Sequence, residues 1–299
     1  MFPNVNKVLG RIESLLESIE KHLPESDAAP DWKKFIAFRW RRSASLFGNR
    51  GHLDGVAHPH VITFDDLKDI DDQKSRLEAN TRQFVQGKSA NNILLTGARG
   101  TGKSSLVKAA LMRFAKQGLR LIEVDKADLI DLPDIAEIIT ARPERFIIFS
   151  DDLSFEANDP GYKALKSVLD GAIAAGSDNL LVYATSNRRH LMPETMSENL
   201  EAKHTEDGEI HPGETTDEKN SLSERFGLWL SFYPFDQEQY LRIAAHWVSV
   251  LAPGKQQDDD MRHAALLWTL ERGSRSGRVA YQFAKDWAAK HSKAPKRRR

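Results

Sequence analysis

Residues Gly97-Ala98-Arg99-Gly100-Thr101-Gly102-Lys103-Ser104 follow the spacing G-x-x-x-x-G-K-[ST], and Ser105 continues it. Those residue types at that spacing can hold a chain of phosphates. Glycines allow backbone torsions that turn successive amide N–H groups inward, and a following helix N-terminus adds partial positive charge. The lysine can reach β- and γ-phosphate oxygens, and the Ser104 hydroxyl can sit on a phosphate-bound Mg²⁺. The pattern carries weight only between a strand and a helix. Ile93-Leu94-Leu95 precedes it as a short apolar run of buried-strand type, and Leu106, Ala110, Leu111 and Phe114 follow at helical spacing. Nucleoside triphosphate binding is the expectation, with residues 97–105 as the cradle.

A second constellation lies about fifty residues on. The apolar run Phe146 to Ser150 ends in Asp151-Asp152. An acid at a strand tip beside a phosphate loop suits a partner for nucleotide-bound Mg²⁺, which is the role read for Asp151. Asp152 is then placed to orient and deprotonate an attacking water. A third apolar run, Leu180 to Ala184, ends in Thr185-Ser186-Asn187. An amide there can hold the same water or the γ-phosphate; the plainer alternative is turn capping by Ser and Asn.

The elements that must position these groups alternate in type. Strands are expected at Arg120 to Val124, Arg145 to Ser150, Leu180 to Ala184 and Leu228 to Tyr233. Helices are expected at Gln73 to Gln86, Pro133 to Thr140 and Tyr162 to Ala175. Short apolar strands separated by helices imply right-handed crossovers and a parallel sheet covered on both faces, an α/β architecture. From Gln237 to His291 the pattern is helical throughout. The expected organisation is a mainly helical N-terminal extension over 1–60, a P-loop αβ nucleotide-binding domain over 61–235, a helical lid over 236–291 and a basic tail over 292–299.

The flanks admit alternatives. Val5, Leu9, Ile12, Leu16, Ile19 and Leu23 form a heptad seam, which serves either a coiled coil or an amphipathic helix packed on its own domain. Trp32 to Arg42 interleaves aromatics with cations. That mixture can stack bases and hold phosphates, or it can pack its rings while its cations reach water. The segment from Leu191 to Ser221 is polar and mostly acidic, too poor in apolar residues to fold alone.

Composition narrows the classes. The 299 residues are 40% hydrophobic and 29% charged, with net charge +0, so there is no global case for nucleic acid. With no cysteine, disulfides, cysteine-bound zinc and thiol catalysis are excluded. The His58/His60 pair has no further ligands nearby to complete a metal site. No apolar run approaches the ~20 residues that span a bilayer, and the N-terminus lacks a signal-peptide core, so cytoplasm is the expected compartment.

Taken in order, GARGTGKS, FIIFSDD, ATSN, SERFG and SGRVA resemble the Walker A, Walker B, sensor 1, arginine-finger and sensor 2 segments of AAA+ ATPases. More closely, the chain is similar to bacterial single-domain AAA+ ATPases of unassigned role, which carry GARGTGKSS, DDLSFE and SERFGL nearly verbatim. The resemblance covers about Asp65 to the C-terminus. It implies ATP and Mg²⁺ as ligands, with Ser104 and Asp151 at the metal and Asn187 as sensor 1. It also implies Arg225 as a finger inserted into a neighbouring subunit's site, Arg278 as the sensor 2 arginine, and a homo-oligomer. Most AAA+ members have Glu where this chain has Asp152, one methylene shorter, although some helicase-loader and initiator relatives share the Asp. Slow hydrolysis, or help from Glu156, follows from that departure. Two functions fit: an ATP-driven enzyme remodelling a protein or nucleic-acid substrate, or an ATP-dependent loader or switch acting on DNA or a replication-type protein. A bare nucleotide kinase is a weaker third, since it would need neither finger nor lid.

Overall fold

The computed structural model describes residues 11, 30–45, 48–155, 159–170, 178–187, 203–204, 210–211, 222–253 and 258–291. The heptad seam, most of the acidic segment, Glu156 and the basic tail lie outside the described residues.

Strands β1 (Ala37–Ser45), β2 (Gly48–Gly55), β3 (Ile93–Gly97), β4 (Leu119–Glu123), β5 (Arg145–Ser150), β6 (Leu180–Ser186) and β9 (Leu228–Phe232) form one sheet in the order β2-β1-β4-β5-β6-β3-β9. All neighbours are parallel except β1 and β2. A separate two-stranded ladder, β7 (Lys203–His204) with β8 (Ile210–His211), falls in the acidic segment.

The sheet is buried on both faces, which explains its unbroken apolar runs. Side chains alternate between two cores. Ile93, Leu95, Ile147, Phe149, Leu181 and Tyr183 enter one, while Leu94, Phe146, Ile148, Val182 and Ala184 enter the other. Helices α1 (Asp71–Val85) and α2 (Lys103–Phe114) cover the first face; α3 (Leu132–Thr140) and α4 (Pro160–Leu169) cover the second. Tyr183 crosses to α1, where its hydroxyl meets Thr81 Oγ1 at 2.8 Å and accepts from Asn80 Nδ2 at 3.2 Å.

Residues 37–45 and 48–55 depart from the helical extension expected over 1–60: they pair as antiparallel strands continuous with the sheet. Phe38 and Trp40 point into the core while Arg39 and Arg41 point away, the period-two alternation of a half-buried strand. Trp40 lies over Gly51, where an added Cβ would stand 1.8 Å from its ring. Trp32 packs on Phe38 and Phe146, with ring centroids 4.4 and 5.1 Å away. Two of the cations are paired, Arg39 with Glu123 at 2.6 Å and Arg42 with Asp131 at 2.6 Å. The rings of Trp32, Phe38 and Trp40 are thus core, not a base-stacking platform, and that of Phe35 is half-buried against them.

After β9 come α5 (Gln237–Leu251), α6 (Asp259–Arg272) and α7 (Gly277–His291). Asp236 starts α5 with a capping box: its Oδ1 accepts from Gln239 N at 2.8 Å, and Gln239 Oε1 accepts from Asp236 N at 2.9 Å. Asp258 caps α6 through Met261 N at 2.9 Å. Helix α5 is tied to the segment before α1 by Arg242 with Asp69 and by His246, whose Nε2 lies 3.5 Å from Asp66 Oδ1.

Candidate nucleotide-binding site

Parallel register brings three strand ends level. Leu95 pairs with Thr185 and Thr96 with Ser186, while Ser150 pairs with Ala184. The loop after β3, the acids after β5 and the amide after β6 therefore meet at the carboxyl edge of the sheet, where open α/β sheets take their ligands.

The loop stem passes close to β9. Gly97 has φ 125°, and a Cβ on it would lie 1.9 Å from Phe232 O, so both torsion and space require glycine. The carbonyls of Gly97 and Ala98 accept from Lys103 Nζ at 2.7 and 2.8 Å. Asn187 Oδ1 accepts from the same ammonium at 3.0 Å. Burial pushes the Lys103 ammonium below the ordinary lysine range, and the nearby Asp151 and Asp152 charges oppose that shift.

Ser104 Oγ donates to Asp151 Oδ1 at 2.7 Å, and Thr185 Oγ1 donates to the same oxygen at 2.5 Å. Thr185 Oγ1 also accepts from Asp152 N at 2.9 Å. Further contacts strap the tip of β5 to that of β6: Leu153 N to Thr185 O at 2.7 Å and Ser186 Oγ to Leu153 O at 2.8 Å. Asp152 itself has φ 56°, in the left-handed region that an Asp can adopt at modest cost. Its Oδ1 accepts from Asn187 Nδ2 at 2.5 Å, and its Oδ2 lies 3.7 Å from Arg99.

These groups line a cleft of about 730 Å³, bounded on one side by Arg99 to Ser105 and the two aspartates. The opposite wall comes from the C-terminal helices: Arg278 and Tyr281 on α7, Ile243 and Trp247 on α5. Trp247 and Tyr281 meet edge to face at 4.8 Å. His60, Val61 and Ile62 close the end.

Of the residues singled out in the sequence, Arg99 to Ser105, Asp151, Asp152, Asn187 and Arg278 share this cleft. Gly97 and Ala98 form its stem and do not line it. Arg225 does not line it either. It follows a single helical turn at 222–224, and its Nε reaches Asp170 Oδ1 at 2.5 Å, beyond the end of α4. Sequence reasoning missed two contributions. Thr185 carried a signal, a hydroxyl at a strand tip two residues before the amide. Trp247 and Tyr281 carried none beyond aromatic character on amphipathic helices, because their place depends on how those helices dock.

A hydroxyl and a carboxylate 2.7 Å apart are hard oxygen donors, a set that fits Mg²⁺ and suits no thiophilic metal. A phosphate loop leaving an inner strand of a mostly parallel sheet, paired acids on the next-but-one strand and a helical cap after the last make up the fold of AAA+ P-loop ATPases, here with the role unassigned. Residues 33–291 match the family described as "Protein of unknown function (DUF815)", and the chain belongs to that family.

Three solved structures are similar to this chain, and the first two share its fold. One point mutant of Thermotoga maritima RuvB is 16% identical, with TM-score 0.51, over 75% of this chain and 64% of that one. A second point mutant of the same protein is 15% identical, with TM-score 0.50, over 75% and 63%. The Aeropyrum pernix ORC1 protein in complex with DNA is 16% identical, with TM-score 0.49, over 80% and 64%. The chain thus spans less than two thirds of the length of these proteins. None of the curated proteins matches it. Among the described residues no helix is long and apolar enough to cross a membrane.

Proposed function

We propose that this protein binds ATP with Mg²⁺ and hydrolyses it to ADP and phosphate, and that it couples turnover to remodelling a macromolecular substrate. The observation that carries this is the linked chain Lys103–Asn187–Asp152 alongside Ser104–Asp151–Thr185. It gathers a phosphate cation, a carboxylate base, its orienting amide and a metal-type oxygen pair in one cleft. Lys103 and the loop amides from Arg99 to Ser105 hold the phosphates, while Gly97 and Ala98, expected among them, serve as the stem of the loop. Ser104 and Asp151 would hold Mg²⁺, which when bound neutralises phosphate charge. Asp152 takes the proton of the attacking water while Asn187 fixes its direction.

The aromatic pair Trp247 and Tyr281, with Val61 and Ile62, offers an apolar wall suited to a purine base. Arg278, reaching the cleft from α7, reads the γ-phosphate and so ties the lid, residues 236–291, to the nucleotide domain, residues 61–235. Arg225, turned away from its own cleft, serves the site of a neighbouring copy in a homo-oligomer.

A second reading is an ATP-dependent switch with slow hydrolysis. One observation favours it: both carboxylate oxygens of Asp152 already face protein groups, Asn187 and Arg99. A shorter side chain so engaged is drawn toward Asn187 and Arg99, although its oxygens keep lone pairs for a water. Steady-state ATP turnover with and without single-stranded DNA or protein substrate separates the two. Rapid unstimulated turnover supports remodelling; turnover that stays slow under every condition, with tight ATP binding, supports the switch.

A further inference from the structure

The helical lid touches the phosphate loop through backbone as well as through Arg278. Gly277 N donates to Gly100 O at 2.8 Å. Ser276 begins α7 just before this contact: its carbonyl accepts from Ala280 N at 2.9 Å and its Oγ accepts from Val279 N at 3.3 Å, which makes it the N-cap. Gly277 is then the first helical residue, whose N–H has no partner within the helix. That orphan donor is spent on the loop.

The approach leaves no room for a side chain on Gly100 and little on Gly277. Gly100 has φ 73°, and a Cβ there would stand 2.8 Å from Ser276 Cβ and Oγ. A Cβ on Gly277 would lie 3.1 Å from Gly100 O. Both glycines are therefore used where the two elements meet.

The chemical consequence lies in the next bond. The carbonyl of Gly100 and the N–H of Thr101 belong to one planar trans peptide, so they point in opposite directions. Fixing the carbonyl against α7 fixes the Thr101 N–H away from it. Without the contact this peptide is held on the Thr101 side, where Oγ1 donates to Ala98 O at 2.8 Å, but on the other side it is flanked by a glycine that eases its rotation. A hydrogen bond to the carbonyl also polarises the amide and strengthens its N–H as a donor.

The geometry points to Gly277 as a positioning residue: its N–H, by holding Gly100 O, sets the Gly100–Thr101 amide for phosphate, so the grip of the loop depends on the lid being docked. This inference rests on the nucleotide-binding reading, but it concerns a different contact from Arg278. An arginine acting on the γ-phosphate matters for ATP alone. A loop amide matters for ADP too.

Gly277→Pro removes the donor at the one helix position where proline is favoured. In the full-length chain it should weaken ADP and ATP alike, each about tenfold, the value of one lost hydrogen bond to a charged ligand. The proline Cδ takes the place of the N–H against Gly100 O, so the variant parts the loop from α7, and its melting temperature without nucleotide is measured beside the affinities to show that it is folded. Gly277→Ala keeps the donor and should bind ADP more nearly as wild type does. Wild-type ADP affinity in a folded Gly277→Pro protein, or a loss confined to ATP, would overturn the inference. If the unmodified chain binds neither nucleotide, the reading of the site fails and this goes with it. Amide hydrogen exchange in the unmodified chain gives a test that needs no variant. A Gly277 N–H protected like the helix interior supports the contact, and exchange at the rate of an open first-turn amide contradicts it.

Discussion

Asn187 donates through Nδ2 to Oδ1 of Asp152 at 2.5 Å. Its other amide atom accepts from Lys103 at 3.0 Å, so one side chain joins the proposed phosphate cation to the proposed base. Asn187→Ala should lower ATP turnover ~10²–10³-fold, as expected when a positioned polar group is removed from a charged transition state. ATP affinity should change far less, because the loop amides remain. Separate measurement of kcat and Kd checks this; an unchanged kcat would leave Asn187 as a turn cap.

Arg225 lies outside its own cleft, paired with Asp170. Arg225→Ala should bind ATP nearly as wild type and lose ~10³–10⁵ in hydrolysis, the effect of a missing arginine finger. Mixing it with Lys103→Ala should restore turnover, since some sites then combine an intact Lys103 with a neighbour's intact Arg225. No recovery in oligomers shown to exchange subunits would count against a shared site.

Trp40 is 2% exposed, and its Nε1 donates to Asp131 at 2.8 Å. Trp40→Ala should destabilise the fold by ~3–5 kcal/mol, the range for a buried tryptophan. Urea unfolding measures this. A stable variant with weakened binding to single-stranded DNA would instead restore the base-stacking reading of Trp32 to Arg42.

Burial, and secondarily Lys68, push His246 below its ordinary range against the opposing pull of Asp66 and Asp65. A histidine depressed in the folded state binds fewer protons there than when unfolded between the two pKa values. Its contribution to stability is therefore complete above the unfolded value of about 6.5 and is lost as pH falls through the folded one. Relative to His246→Gln, the wild-type chain should lose stability on acidification below about 6.5 and show a constant difference above it. A difference that stays flat down to about pH 5 would contradict the half-buried, neutral imidazole.

The sheet and the phosphate loop are legible in the sequence because each strand is short, apolar and closed by a group with its own chemistry. Arg145–Ser150 has the expected boundaries, and Leu180–Ser186 runs two residues past the expected end. The pairing of β1 with β2 is not legible as such. Gly48–Gly55, with the sequence GNRGHLDG, has almost no strand propensity, and its conformation depends on the rings of Trp40 and Phe35 lying over Gly51 and Gly55. Trp32 to Arg42 shows its alternation of rings and cations, but only burial decides what the rings face. The helical run from Gln237 to His291 divides into α5, α6 and α7. The start of α7 is the end that meets Gly100, a relation no local pattern carries.

If Lys103 and Asp152 serve one ATP-hydrolysing site, their loss must separate binding from turnover in a particular way. The decisive measurement is phosphate release from ATP by the purified full-length chain with Mg²⁺, beside ATP binding by calorimetry, with Lys103→Ala and Asp152→Asn run in parallel. The expected result is Mg²⁺-dependent turnover in the wild type, loss of both binding and turnover in Lys103→Ala, and retained binding without turnover in Asp152→Asn. Micromolar ATP affinity in Lys103→Ala, or undiminished hydrolysis in Asp152→Asn, would contradict it.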